Sequence, residues 1–138
     1  MNIFVYGTLL FPEIRKMVGG RDFTSRAARV KGYQIFQVSG ADFPGVVRAG
    51  QSHHITGEIL YDLTPDEVMR MDCYEDQFYI RKTIEAEELD SGKKLAAEIY
   101  EIPEDFAGDI LSNTTWTKQW FEENYYENFL NRLRSAYR

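Results

Sequence analysis

Short runs with strand character recur along this chain, and glycine or aspartate turns separate them. Such a pattern favours a β-rich domain with a few helices, because each short strand needs neighbouring strands to pair with. We expect strands at residues 2–6, 28–36 and 45–48. Residues 55–63 give a clearer strand, since their side chains alternate between a better-buried face and a more polar one.

One helix has a readable start. Thr64 precedes Pro65, and Glu67 follows three positions after Thr64. This is the pattern of a capping box, in which Thr64 and Glu67 satisfy backbone N–H groups at the helix start and Pro65 takes the first helical position. We therefore expect a helix of about ten residues to follow.

The remaining elements follow from turn signals and periodicity. Residues 78–87 and 94–101 flank a Leu-Asp-Ser-Gly turn, which predicts a β-hairpin. Residues 11–18 carry a helical pattern. After a loop around Gly108, residues 115–136 place large apolar side chains at helical spacing, so we expect helix there as well.

The composition indicates one globular domain, residues 1–138. A chain of 138 residues buries one core, and no run approaches the roughly 18 apolar residues of a membrane span. The net charge of −6 opposes binding to nucleic acid or anionic lipid. The first residues carry no basic segment, and Cys73 is the one cysteine. We therefore expect a cytoplasmic protein, and the pattern leaves its oligomeric state open.

Glu75 is the first candidate functional residue. Val68, Met71 and Glu75 lie on one face of the expected helix, which directs the carboxylate toward the core. A carboxyl group in an apolar setting has a raised pKa, and this suits proton transfer near neutral pH. The alternative is that the helix has ended by Glu75 and that the side chain is solvated.

The second candidate is the end of the first strand, Tyr6-Gly7-Thr8-Leu9. A chain that leaves a strand through Gly7 can present successive backbone N–H groups to a carboxylate or a developing oxyanion. The alternative is an ordinary turn.

Three further features are expected to be structural. Cys73 lies two positions from Glu75, and we expect a buried, inert thiol because no activating base is evident. His53 and His54 face opposite sides of a strand without other ligands nearby, so no metal site is expected. The aromatic residues of the carboxyl-terminal helix are expected to pack on the core, with a ligand or dimer contact as the alternative.

Taken together, the motifs resemble the gamma-glutamylcyclotransferase-like family. Its signature Y-G-T/S-L matches residues 6–9, and its signature L-D-x-x-E-G-x-x-Y-x-R matches residues 71–81. Phe43-Pro44-Gly45 resembles the aromatic-proline loop of the family. Two departures occur: Met71 replaces leucine, and Asp76 replaces the glycine after the glutamate. The second replacement affects the turn that orients the Glu75 side chain.

The resemblance implies an α+β fold, a small β-barrel with flanking helices, that acts on a small-molecule gamma-glutamyl substrate without metal or cofactor. The best-studied family members release 5-oxoproline and a free amine or amino acid. The resemblance makes Glu75 the general acid/base and places the gamma-glutamyl group against residues 6–9. Tyr79 and Arg81 are expected to line or brace the pocket. The main alternative is a binding or regulatory module on the same fold that does not turn substrate over.

Overall fold

The computed structural model of the chain describes residues 1–75 and 78–137, which form seven strands and five α-helices. Five strands close a barrel in the order β1-β5-β2-β6-β7, while β3 pairs with β4 in a separate hairpin. The strands are β1 (Ile3–Val5), β2 (Ser25–Lys31), β3 (Tyr33–Gln37), β4 (Pro44–Arg48), β5 (His54–Leu60), β6 (Ile80–Glu88) and β7 (Lys94–Glu101). The helices are α1 (Pro12–Gly19), α2 (Pro65–Glu75), α3 (Glu104–Ile110), α4 (Lys118–Asn124) and α5 (Tyr126–Ala136). The expected α+β barrel with flanking helices is thus confirmed.

Strand β1 lies between two other strands of the barrel. It runs antiparallel to β5, with Phe4 opposite Ile59, and parallel to β7, with Ile3 opposite Glu98. The β1–β5 approach is close at Gly57, where a Cβ atom would lie 2.1 Å from the carbonyl oxygen of Val5. Because β1 is held on both sides, the turn that follows it starts from a fixed position.

Two apolar clusters form the core. Strand β1 contributes to both, since successive side chains point to opposite faces. Ile3 and Val5 pack among residues of the helices, whereas Phe4 packs with residues such as Ile59 and Ile99 of the barrel strands. The helices therefore cover one side of the barrel wall and enclose space between themselves and β1.

The capping box that opens α2 is confirmed. The Thr64 N–H donates to Glu67 Oε1 at 2.9 Å, and the Glu67 N–H donates to Thr64 Oγ1 at 3.2 Å. Arg21 also donates to both carboxylate oxygens of Glu67, at 2.5 and 3.0 Å. These contacts fix the start of the helix that carries Glu75 at its other end.

Three expectations about secondary structure are wrong. The strand expected at residues 28–36 is divided between β2 and β3 by Gly32, whose φ of +86° turns the chain. The loop expected around Gly108 is the helix α3, which begins after Pro103 and has acidic residues in its first turn. The expected helix at residues 115–136 is divided into α4 and α5 by Tyr125, whose backbone is not helical.

The expected hairpin is confirmed, with β6 and β7 paired from Ile80 opposite Glu101 to Glu87 opposite Lys94. Within the ranges that the structure describes, no helix combines the length and the apolar character needed to cross a membrane.

Candidate active site

Glu75 is the last residue of α2, and its side chain reaches a cavity of about 400 Å³. Val68 and Met71, on the same helix face, are 6% and 0% exposed, so this face packs on the core. Glu75 is itself partly buried and forms part of the cavity wall. The structure thus places the carboxylate at an enclosed surface, and the alternative of a fully solvated side chain is wrong.

The turn after β1 forms another wall of the same cavity, to which Tyr6, Gly7, Thr8 and Leu9 all contribute. The first hydrogen bond of this turn runs from the Leu10 N–H to the Gly7 carbonyl at 2.9 Å. The N–H groups of Thr8 and Leu9 precede that bond, so they have no acceptor within the turn. The two candidate segments are therefore brought together at one cavity.

The close approach of Pro44 requires a glycine at position 7. A Cβ atom at this position would lie 2.7 Å from Cγ of Pro44, which also lines the cavity. A side chain here would push the start of β4 away from the turn. The backbone of residues 6–9 and the aromatic-proline loop thus fit together closely because residue 7 lacks a side chain.

Aromatic rings form most of the remaining wall. Besides the fully buried Phe4 of β1, three phenylalanines line the cavity, and they come from the loop before β4, the segment after α2, and α5. Tyrosines from α2, from the residue before β6 and from β7 complete it. In chain order these residues are Phe43, Tyr74, Phe78, Tyr79, Tyr100 and Phe129.

Burial dominates the electrostatics of the cavity. It raises the pKa of Glu75 from an ordinary value of 4.5 to about 8. Burial also raises the pKa of Tyr74 and Tyr79, and the charge of Glu75 adds to both shifts. None of the described lining residues carries a positive charge. The cavity therefore holds a carboxyl group able to bind or release a proton near neutral pH, among neutral hydroxyl groups.

Hydroxyl groups tie the walls to one another. The Tyr79 hydroxyl donates to the Pro44 carbonyl at 2.5 Å, and the hydroxyls of Tyr74 and Thr8 share a hydrogen bond of 2.7 Å. The first bond joins the residue before β6 to the first residue of β4. The second joins α2 to the turn after β1. Both hold the segments that face Glu75 at fixed separations.

Arg81 lies outside the main cavity. Its Nε donates to Asp72 Oδ1 at 3.0 Å, and another guanidinium nitrogen donates to Glu98 Oε1 at 2.9 Å. Tyr100 donates to the same Asp72 oxygen at 2.6 Å. Arg81, Asp72 and Tyr100 line a smaller cavity of about 190 Å³ that Glu75 and Tyr79 also border. The structure thus brings Tyr79 to the main cavity and leaves Arg81 at the smaller one, paired with Asp72 and Glu98.

One expectation near the site is wrong, and another lies outside the described residues. Cys73 is exposed and lines the main cavity, because it projects from the last turn of α2 toward the cavity side. The substitution at Asp76 falls outside residues 1–75 and 78–137. Sequence patterns did not identify Phe78 as a cavity residue, and they included Phe129 only in the alternative that the carboxyl-terminal aromatic residues contact a ligand. Tyr74 is the cavity residue that the sequence could have identified most directly, because it precedes Glu75 within the second motif.

Within the described ranges, no group of three or more potential metal-ligating side chains is close enough to hold an ion.

Comparisons with known proteins agree with the motifs. A family model for the AIG2-like gamma-glutamyl cyclotransferases matches residues 3–118. AIG2-like protein C of Arabidopsis thaliana is 32% identical over 99 residues, which cover 72% of this chain and 57% of that relative. This chain therefore spans a little over half the length of that relative.

Solved structures share the fold. A solution structure of an Arabidopsis thaliana protein superposes with a TM-score of 0.72 at 23% identity, covering 98% of this chain and 89% of the other. A gamma-glutamyl cyclotransferase superposes with a TM-score of 0.63 at 12% identity, covering 96% and 85%. At these identities the superpositions show a common barrel and helix arrangement.

Proposed function

Because the chain belongs to the AIG2-like gamma-glutamyl cyclotransferase family, we propose that it converts a gamma-glutamyl amide into 5-oxoproline and a free amine or amino acid. The observation that carries this proposal is the carboxyl group of Glu75. It lies in the same cavity as the turn at residues 6–9, and burial raises its pKa to about 8. A group of this kind can take up and return one proton within a reaction cycle.

In the first step, the α-amino nitrogen of the substrate attacks its own γ-carbonyl carbon and closes a five-membered ring. The ionised carboxylate of Glu75 takes the proton that the attacking nitrogen loses. Negative charge develops on the γ-oxygen, and in this mechanism the N–H groups of Thr8 and Leu9 donate to it. Holding the substrate folded contributes to the rate, because the two reacting atoms are then already close.

In the second step, the tetrahedral intermediate collapses. The C–N bond to the leaving nitrogen breaks, and the protonated carboxyl of Glu75 supplies the proton that the departing amine needs. The products are 5-oxoproline and the amine, and Glu75 returns to its ionised state. The reaction is an intramolecular aminolysis, so the substrate supplies every atom of the two products and no cofactor takes part.

Tyr79 and Arg81 act at different distances from the substrate in this proposal. The Tyr79 ring contacts the substrate, while its hydroxyl keeps the Pro44 loop in place. Arg81 holds Asp72 at the back of α2 and so positions the end of the helix that carries Glu75. A cytoplasmic location is part of the proposal, since Cys73 has no partner in the chain for a disulfide.

The test is 5-oxoproline release from a panel of gamma-glutamyl amino acids and gamma-glutamyl amines. We expect Glu75→Gln to lower kcat/KM by about 100-fold or more, the usual contribution of a general acid/base. Glu122→Gln is the matched control, because Glu122 is an exposed carboxylate on α4. Equal release by the native protein and Glu75→Gln would refute the mechanism. Binding of the panel compounds without any release would instead favour the non-catalytic binding module.

A further inference from the structure

The aromatic wall of the main cavity constrains the part of the substrate that leaves. We propose that the leaving group is an aromatic or arylalkyl amine that carries no carboxylate, and that Phe43, Phe78 and Phe129 select it. This inference rests on the proposed cyclotransferase reaction, in which the gamma-glutamyl end occupies residues 6–9 beside Glu75. The three phenylalanines then face the rest of the ligand.

The three rings form a surface suited to another ring. Phe43 and Phe78 are stacked, with their centroids 6.3 Å apart and their planes at 24°. Phe129 meets the buried Phe121 edge to face at 5.4 Å, and this contact fixes its orientation. Each of the three lining rings is partly exposed, so each has surface left for a ligand. Aromatic partners at such separations attract one another beyond the effect of area alone.

The charges around the cavity disfavour a second carboxylate. None of the described lining residues is cationic, and Glu75 itself becomes negative when it ionises. A carboxylate on the leaving group would lose its hydration without gaining a counter-charge. The gamma-glutamyl end already brings one carboxylate, and the proposed reaction uses the free N–H groups of Thr8 and Leu9 for the γ-oxygen.

Two arginines near the site are already paired. The Arg132 guanidinium lies 5.5 Å from the centre of the Phe129 ring, but its Nη2 contacts Asp42 Oδ2 at 2.6 Å. Arg81 is held by Asp72 and by Glu98 at the smaller cavity. Neither charge is available to a carboxylate in the main cavity.

The size of the cavity agrees with a compact leaving group. Its volume of about 400 Å³ is near the lower end of the range of about 300–1000 Å³ that small-molecule sites span. A single ring on a short linker fits this space better than a peptide does.

A matched set of three substrates tests the inference. Gamma-glutamyl-phenethylamide and gamma-glutamyl-L-phenylalanine differ by one carboxylate, and gamma-glutamyl-ethylamide lacks the ring. We expect kcat/KM for 5-oxoproline release to be about tenfold or more higher for the phenethylamide than for either other compound. The ethylamide lacks the buried ring, which contributes at least that factor. The phenylalanine compound has the ring but must also desolvate a carboxylate. Equal or faster turnover of the phenylalanine compound, or of the ethylamide, would overturn the inference.

Variants of the lining phenylalanines test whether these rings cause the preference for the phenethylamide. Phe129→Ala should reduce the ratio of phenethylamide to ethylamide kcat/KM by about tenfold. Phe43→Leu, a milder change in a loop, should reduce the same ratio by a smaller factor. This variant replaces Phe129→Ala as the test if Phe129→Ala does not fold. Phe106→Ala is the control, because Phe106 is an exposed ring on α3 outside the cavity. An unchanged ratio in both wall variants would exclude these rings as the selecting surface.

Binding separates a failure of this inference from a failure of the proposed function. If none of the three compounds releases 5-oxoproline, the cyclotransferase proposal fails. Calorimetry on the native protein then measures which compound binds more tightly. Binding of the phenethylamide at least about tenfold tighter than the phenylalanine compound would still support the aromatic, carboxylate-free ligand. Equal binding, a reversed order, or no binding of any compound would overturn it.

Discussion

Replacing Glu75 by glutamine removes an ionisable group from the cavity while keeping the length and shape of the side chain. In the folded protein, burial raises the pKa of Glu75 from 4.5 to about 8. Between these two values the folded chain retains a proton that the unfolded chain has lost. The contribution of Glu75 to the free energy of unfolding therefore falls as the pH rises from 4.5 through 8.

The magnitude follows from the separation of the two pKa values. About 3.5 pKa units correspond to an upper limit of about 5 kcal/mol, at about 1.4 kcal/mol per unit. Glu75 is only partly buried, and water that reaches the cavity reduces this penalty. We therefore expect Glu75→Gln to be more stable than the native protein by about 2–4 kcal/mol at pH 9, and the difference to become small near pH 4.5.

Denaturant unfolding at a series of pH values between 4.5 and 9 measures this difference. The control is Glu122→Gln, since Glu122 is exposed on α4 and its replacement should add no comparable dependence on pH. A stability difference between the native protein and Glu75→Gln that stays constant with pH would refute the argument. So would a variant that is less stable than the native protein at pH 9, because the carboxylate would then be stabilised by contacts that outweigh its burial.

Three further predictions concern the contacts that shape the site. Gly7→Ala should lower the free energy of unfolding by about 1–3 kcal/mol, because the new Cβ lies 2.7 Å from Pro44 Cγ; an unchanged denaturation midpoint would contradict this. Tyr79→Phe should cost about 1–2 kcal/mol in the same measurement, since the Pro44 carbonyl loses its donor, and a neutral effect would show that solvent replaces the bond. Arg21 lowers the pKa of Glu67 to about 2, so the stabilisation from this pair, about 1 kcal/mol, is present above pH 4.5 and is lost as the pH falls toward 2. Melting temperatures between pH 5 and 2 should show this loss in the native protein and not in Glu67→Gln, and parallel curves would exclude it.

Local signals predicted the start of α2 and the β6–β7 hairpin well. The Thr64 and Glu67 side chains bond backbone groups within three residues, so the pattern needs no tertiary information. The same holds for the face shared by Met71 and Glu75. Where a single residue interrupts a longer pattern, prediction was poorer: Gly32 divides one expected strand, and Tyr125 divides one expected helix.

Local signals also misplaced Cys73. A helical position two residues from Glu75 was expected to be buried, yet the end of α2 lies at the cavity mouth and leaves the thiol exposed. Exposure near a helix end depends on what packs against it, and here the packing elements come from distant parts of the chain. The spacing of residues along one helix contains no information about those elements.

The sequence by itself determined the features that depend on neighbours along the chain: the glycine turn at residues 6–9, the capped helix, and the face that carries Glu75. Only the tertiary structure decided what surrounds that carboxyl group. Closure of the barrel and docking of α5 bring Phe43, Phe78 and Phe129 to one cavity, although they lie far apart in sequence. The pKa of Glu75 is raised for the same reason, because desolvation is the combined effect of every segment that excludes water from the group.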